Sequence, residues 1–219
     1  MDMVAESVAA ARGAVVPGPT LTRPQWLSER IADMGISWGT GNSRVAGTLW
    51  WCMAASSLVD PIATAYAEGR AVTPPELEHL LCEIRPDGGV ERVFVADGAE
   101  RASDPAAVGP ALRNTLGHII PAVAEVSGAG VAALWAIVAD AIGNRALDAG
   151  DAEAGARLAR EVAGRLPVPR FTDVGPRTFV RRISCCLVFE VPGCQMCTSC
   201  PKRPAAERET LLRQVAAGT

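Results

Sequence analysis

The sequence predicts an α+β protein, with a predominantly helical body, a small antiparallel sheet and a C-terminal cysteine-rich segment. Three observations carry this. Apolar residues recur at helical spacing through most of residues 24–166. Two short apolar runs flank Pro86-Asp87-Gly88-Gly89, a hairpin signature. Five of the seven cysteines fall between Pro167 and Pro204. The natural division is a body over residues 1–166 and a cysteine-bearing segment over 167–219.

Taken in order, the Ala-rich stretch Met1–Val16 reads as a short helix ended by Pro17-Gly18-Pro19. Thr22 then caps a helix from Pro24 to about Met34, with proline in its first turn and Gly35 as its stop. Ser43–Ala67 is the longest helix. Val45, Leu49, Met53, Ser56 and Val59 share one face, Trp50, Trp51 and Tyr66 widen the apolar surface, and Pro61 is expected to kink or divide it. Pro74-Pro75 opens a short helix through His79, and Leu80–Arg85 with Val90–Ala96 form the hairpin. Further helices are expected from Pro105 to about Val126, with Gly117 and Pro121 as distortions, then over Ala129–Ala149 and Asp151–Leu166. Thr178–Val191 has strand-like residues, Pro192-Gly193 makes a turn, and Ala205–Ala216 reads as a closing amphipathic helix.

Composition narrows the function. At 49% hydrophobic residues the chain can bury a core, and a net charge of −3 argues against nucleic acid as a partner. The two most apolar stretches, Val45–Val59 and Val126–Ala139, fall short of a membrane span, so any membrane association would be peripheral. No secretion signal opens the chain, so a cytoplasmic location is expected, and the cysteines point to metal or redox chemistry rather than a disulfide framework.

The cysteines are arranged as Cys185-Cys186, ten residues containing Cys194, then Cys197-Thr198-Ser199-Cys200. Thiolates at x2 spacing chelate one metal because a tight turn brings both sulfurs to the same side. Adjacent cysteines in a strand point to opposite faces, so Cys185 and Cys186 share a centre only if the backbone twists or bulges there. Four thiolates can hold a 2Fe–2S unit, two on each iron. Zinc on four of the five cysteines is the main rival, and Cys194-x2-Cys197-x2-Cys200 also resembles three ligands of a 4Fe–4S site. His79 and His118 lie far from the cysteines and read as satisfied helix residues, and Cys52 and Cys82 as small core residues. From Arg165 to Arg203 seven basic residues stand against Asp173 and Glu190, a net +5 that leaves −8 on the rest of the chain. A four-thiolate cluster is anionic and becomes more so on reduction, so nearby arginines would raise its potential.

The run Arg181-Arg182-Ile183-Ser184-Cys185-Cys186-Leu187-Val188-Phe189, with Val191-Pro192-Gly193 and Cys197-Thr198-Ser199-Cys200-Pro201, resembles the C-terminal signature of the FhuF-like ferric-siderophore reductases, Cys-Cys-x10-Cys-x2-Cys. Weaker similarities lie at Gly41–Trp51 and from Ala133 through Ala149. The resemblance implies a 2Fe–2S cluster on Cys185, Cys186, Cys197 and Cys200, and one-electron reduction of siderophore-bound Fe(III) to Fe(II). The cluster itself is the reactive centre, with no further catalytic residue implied. Cys194 departs from the small residue expected there. No glycine-rich nucleotide fingerprint follows a strand, so a separate electron donor, a ferredoxin or a flavoprotein reductase, is expected. Trp38, Trp50 and Trp51 are candidates to line a docking surface. The alternatives from other classes are a 2Fe–2S carrier or sensor without a siderophore substrate, and a zinc-stabilised interaction module.

Overall fold

The computed structural model describes residues 13–96 and 105–218. Strand β1 (Ala14–Pro17) leads into helices α1 (Pro24–Trp38) and α2 (Ser43–Ala67) and the hairpin β2 (Leu80–Ile84) and β3 (Val90–Val95). Helices α3 (Val108–Ser127), α4 (Val131–Asp148) and α5 (Ala152–Val162) complete the body. A second hairpin, β4 (Phe171–Val174) and β5 (Arg177–Val180), precedes the cysteines, and α6 (Ala205–Ala217) closes the chain. The predicted class holds: among the described residues the protein is mainly helical with two small antiparallel sheets, ordered β1-β2-β3 and β4-β5.

Helix α2 is the axis of the body and packs on α1, α3, α4, α5 and β3. This central position explains why its sequence is apolar nearly all round rather than striped. The Asn42 side chain caps it by accepting from the Arg44 and Val45 N–H groups, and Pro61 sits inside one continuous helix instead of dividing it. Trp50 and Trp51 are 0% and 1% exposed, and their indole N–H groups donate to the carbonyls of Gly88 (3.0 Å) and Leu134 (2.9 Å). They belong to the core and not to a docking surface, because a ring of that area is best buried when its N–H finds a partner. Trp38, at the end of α1, stays exposed.

Several boundaries differ from expectation for physical reasons. Of Met1–Val16, residues 1–12 lie outside the described part. The remainder forms β1, where pairing with β2, Val16 opposite Cys82, overrides the helical propensity of the sequence. Helix α1 runs on past Gly35 and ends at Gly39, whose φ of 67° suits a left-handed cap. Thr22 does not cap α1, since its hydroxyl donates to the Pro19 carbonyl. The short helix before His79 is a single 3₁₀ turn, Leu77–His79. Gly128 caps the end of α3, and α4 starts at Val131. Strand β5 stops at Val180, so most of Thr178–Val191 is irregular backbone.

The body holds the cysteine segment by close packing. β5 lies on α4. A Cβ at Gly143 would come within 2.9 Å of Pro169 and 3.3 Å of Val180, so glycine there lets the hairpin approach the helix.

Candidate metal centre

Three of the four cysteines named above, Cys185, Cys186 and Cys197, are half-buried, and Cys200 is buried. Their sulfurs meet in crossed pairs. Cys185 Sγ lies 3.8 Å from Cys200 Sγ, and Cys186 and Cys197 lie close enough for each thiol to shift the ionisation of the other. A tetrahedral metal with thiolate bonds of about 2.3 Å has sulfur–sulfur edges of about 3.8 Å, so the first pair is already spaced to share one ion. Among the described residues no three His, Cys, Asp or Glu side chains gather around a single ion position. Two such pairs are compatible with a 2Fe–2S unit, two sulfurs to each iron.

The chain reverses just after the adjacent cysteines. Leu187 adopts φ 62° and ψ 10°, a left-handed conformation that costs a leucine about 1–2 kcal/mol. This bend turns the Leu187 N–H toward Cys185 and the Val188 N–H toward Cys186. Successive N–H groups around such a turn form an anion-binding concavity. Downstream, the Cys200 N–H donates to the Cys197 carbonyl (3.1 Å), closing the x2 turn. Arg203 donates to the Met196 carbonyl (2.6 Å), and Arg208 donates to the carbonyls of Cys200 (3.4 Å) and Arg203 (3.1 Å). The arginines after the motif therefore tie down its backbone.

Asp140, on α4 and 3% exposed, is the anchor on the body side. Its carboxylate accepts from the Ile183 N–H (3.1 Å), the Ser184 N–H (2.9 Å) and the Ser184 hydroxyl (2.5 Å). It also lies 3.6 Å from Arg182 Nε. Arg182 in turn donates from Nη1 to Cys197 Sγ at 3.5 Å. A buried carboxylate needs this many donors to offset lost hydration. The reading of the sequence passed over Asp140. The signal was there, in a charge at the end of an apolar helical run, which must find a partner if the helix is buried.

The electrostatics follow the contacts. The hydrogen bond from Cys197 pulls Cys186 down to about 5, helped by the Val188 N–H and Arg182. The same bond, with burial, pushes Cys197 up, so the pair holds one proton when no metal is bound. Burial raises Cys185. The loop's N–H groups and Arg182 thus favour the thiolate form that a cationic metal binds.

Other candidates sort clearly. Cys194 is half-buried against the core, with its N–H on the Val191 carbonyl at 3.1 Å, and is in neither sulfur pair. Cys82 is buried in β2 as a core thiol, pushed up to about 12 by burial. Cys52 is not simply core. It lines a cavity of about 320 Å³ together with Asp140, Asn144, Arg145, Arg182 and Ser199. Burial and then the charge of Cys186 push its thiol up to about 12, so it is a neutral neighbour of the site. His118 is an exposed helix residue bonded to the Asn114 carbonyl.

In comparison with known families, residues 182–202 match the FhuF 2Fe-2S C-terminal domain. No curated protein matches the chain. The matched segment contains both cysteine pairs, and the match indicates a 2Fe–2S cluster as the cofactor. Among the described residues no helix is long and apolar enough to cross a membrane.

Proposed function

We propose that this chain is a ferric-siderophore reductase of the cytoplasm, reducing siderophore-bound Fe(III) to Fe(II) one electron at a time. The observation that carries the reading is the crossed pairing of Cys185 with Cys200 and Cys186 with Cys197 inside a segment that matches the FhuF 2Fe-2S domain. Those four residues would hold the cluster, one pair on each iron. A 2Fe–2S centre, when bound, supplies single electrons, which suits a substrate that changes by one charge.

The chain's own groups support that chemistry. The Leu187 and Val188 N–H groups and the Arg182 guanidinium point positive ends at the sulfurs, which favours the more negative, reduced state. Asp140 accepts from the backbone of the first half of the motif and Arg203 donates to the backbone of the second, which anchors both. Hard oxygen donors bind ferric iron more tightly than ferrous iron, so adding one electron releases the metal without destroying its carrier. The electron comes from a separate donor.

The test is anaerobic. Chemically reduced protein is mixed with ferric hydroxamates and catecholates in the presence of a ferrous-iron chromophore. Reoxidation with matching appearance of Fe(II) is expected. Protein that stays reduced with the whole panel contradicts the reductase and leaves an electron carrier or sensor.

A further inference from the structure

Arg170 and Arg181 stand opposite each other at the open end of the second hairpin. Phe171 pairs with Val180, and one step beyond them the Arg181 N–H donates to the Arg170 carbonyl at 2.7 Å. Residues opposed in an antiparallel ladder project from the same face, and like charges so placed destabilise it. Both side chains are exposed. The nearby acids are engaged elsewhere: Glu190 with Arg44 at 2.6 Å, Asp173 with the Thr178 hydroxyl at 2.7 Å, and Glu207 with Arg203. Arg177 lies two residues from Phe179 on β5, exposed and 5.6 Å over that ring, and Lys202 is exposed and 5.0 Å over Phe189.

Covalent geometry keeps this charge near the cysteines. Arg181 precedes Cys185 by four residues, a span of at most about 14 Å, and Lys202 follows Cys200 by two, at most about 7 Å. Folding does not explain a repulsive pair at that place, whereas recognition does. The surface is basic on a chain that is acidic elsewhere, which orients an approaching anionic protein toward this face.

We infer that the face bearing Arg170 and Arg181 docks an acidic one-electron carrier protein, the donor that the reductase reading requires and on which this inference rests. One electron leaves the carrier, which is oxidised, and arrives at the cysteine-held centre, which is reduced. No atom or proton is exchanged. Nucleic acid and membrane surfaces are also anionic, but a negative net charge of −3 on the whole chain favours a compact partner that meets only this face.

The experiment measures binding of the cluster-loaded protein to an oxidised, acidic plant-type ferredoxin as probe, by calorimetry across a range of salt. Wild type is expected to bind at low salt and to lose affinity as salt rises. The double variant R170E/R181E, with its visible spectrum unchanged, is expected to bind at least about tenfold more weakly and to lose most of its salt dependence. Arg23→Glu, on the helical body, is expected to bind like wild type. Equal weakening by Arg23→Glu overturns the proposal, because only net charge would then matter, and so does unchanged binding by the double variant. A double variant that is released from phosphatidylserine vesicles but still holds ferredoxin overturns it in favour of a membrane surface. Protein that binds ferredoxin through these arginines yet reduces no ferric siderophore supports the docking face and contradicts only the choice of substrate.

Discussion

Arg182 places its Nη1 3.5 Å from Cys197 Sγ, whereas the neighbouring Arg181 is exposed to solvent. Removing a positive charge penalises the reduced cluster more than the oxidised one, so Arg182→Ala is expected to lower the midpoint potential. Asp140 beside Arg182 cancels part of the field, leaving a drop on the order of tens of millivolts. Arg181→Ala should shift it far less. Protein-film voltammetry of both variants checks the difference, and equal shifts would place the two arginines at similar distances from the cluster.

Asp140 is the second target. Asp140→Ala leaves the Ile183 and Ser184 N–H groups and the Arg182 guanidinium without their acceptor at a site 3% exposed. Breaking such a buried charged network costs about 3–5 kcal/mol. Urea denaturation of the loaded protein should show that loss, together with bleaching at lower urea than global unfolding. A variant as stable as wild type would mean that the cysteine loop is held by other contacts.

How far the sequence is legible depends on whether the cause is local. Ser43–Ala67 and the Asp-Gly hairpin are readable because their signals are composition and turn chemistry within a few residues. The cysteine spacing is equally local. Strand β1 is not, because its structure comes from a partner more than sixty residues away, Val16 opposite Cys82. Nor is the turn at Leu187, since a leucine carries no preference for positive φ and adopts it only where the surroundings impose it. That turn follows the adjacent cysteines directly. Asp140 was half legible, as a charge in an apolar run whose partners lie 43 and 44 residues further on.

Among the five cysteines of the segment, Cys194 is in neither sulfur pair. Cys194→Ser is therefore expected to keep the visible spectrum, while serine at Cys185, Cys186, Cys197 or Cys200 abolishes or strongly alters it. Anaerobic absorption spectra of the five variants decide this. Bleaching by Cys194→Ser with an unaltered Cys186→Ser spectrum would contradict the ligand set.

The first hairpin gives a pH dependence. Hydrogen bonds from Arg85 (2.7 Å) and from the Gly89 N–H (2.9 Å) hold the Asp87 carboxyl below its ordinary range. The stability it contributes is present above the unfolded-state carboxyl pKa and is lost as pH falls through the lower folded-state value. The Asp87 side chain is 40% exposed, so the contribution is about 1 kcal/mol or less. Asp87→Ala should lie below wild type in thermal stability at neutral pH, with the gap closing in acid. A gap independent of pH would assign the effect to turn geometry alone.

The most direct test of the account is iron and acid-labile sulfide analysis of protein purified without oxygen. The account predicts two irons and two sulfides per chain, as a 2Fe–2S centre requires. Stoichiometric zinc, or iron without sulfide, would contradict it.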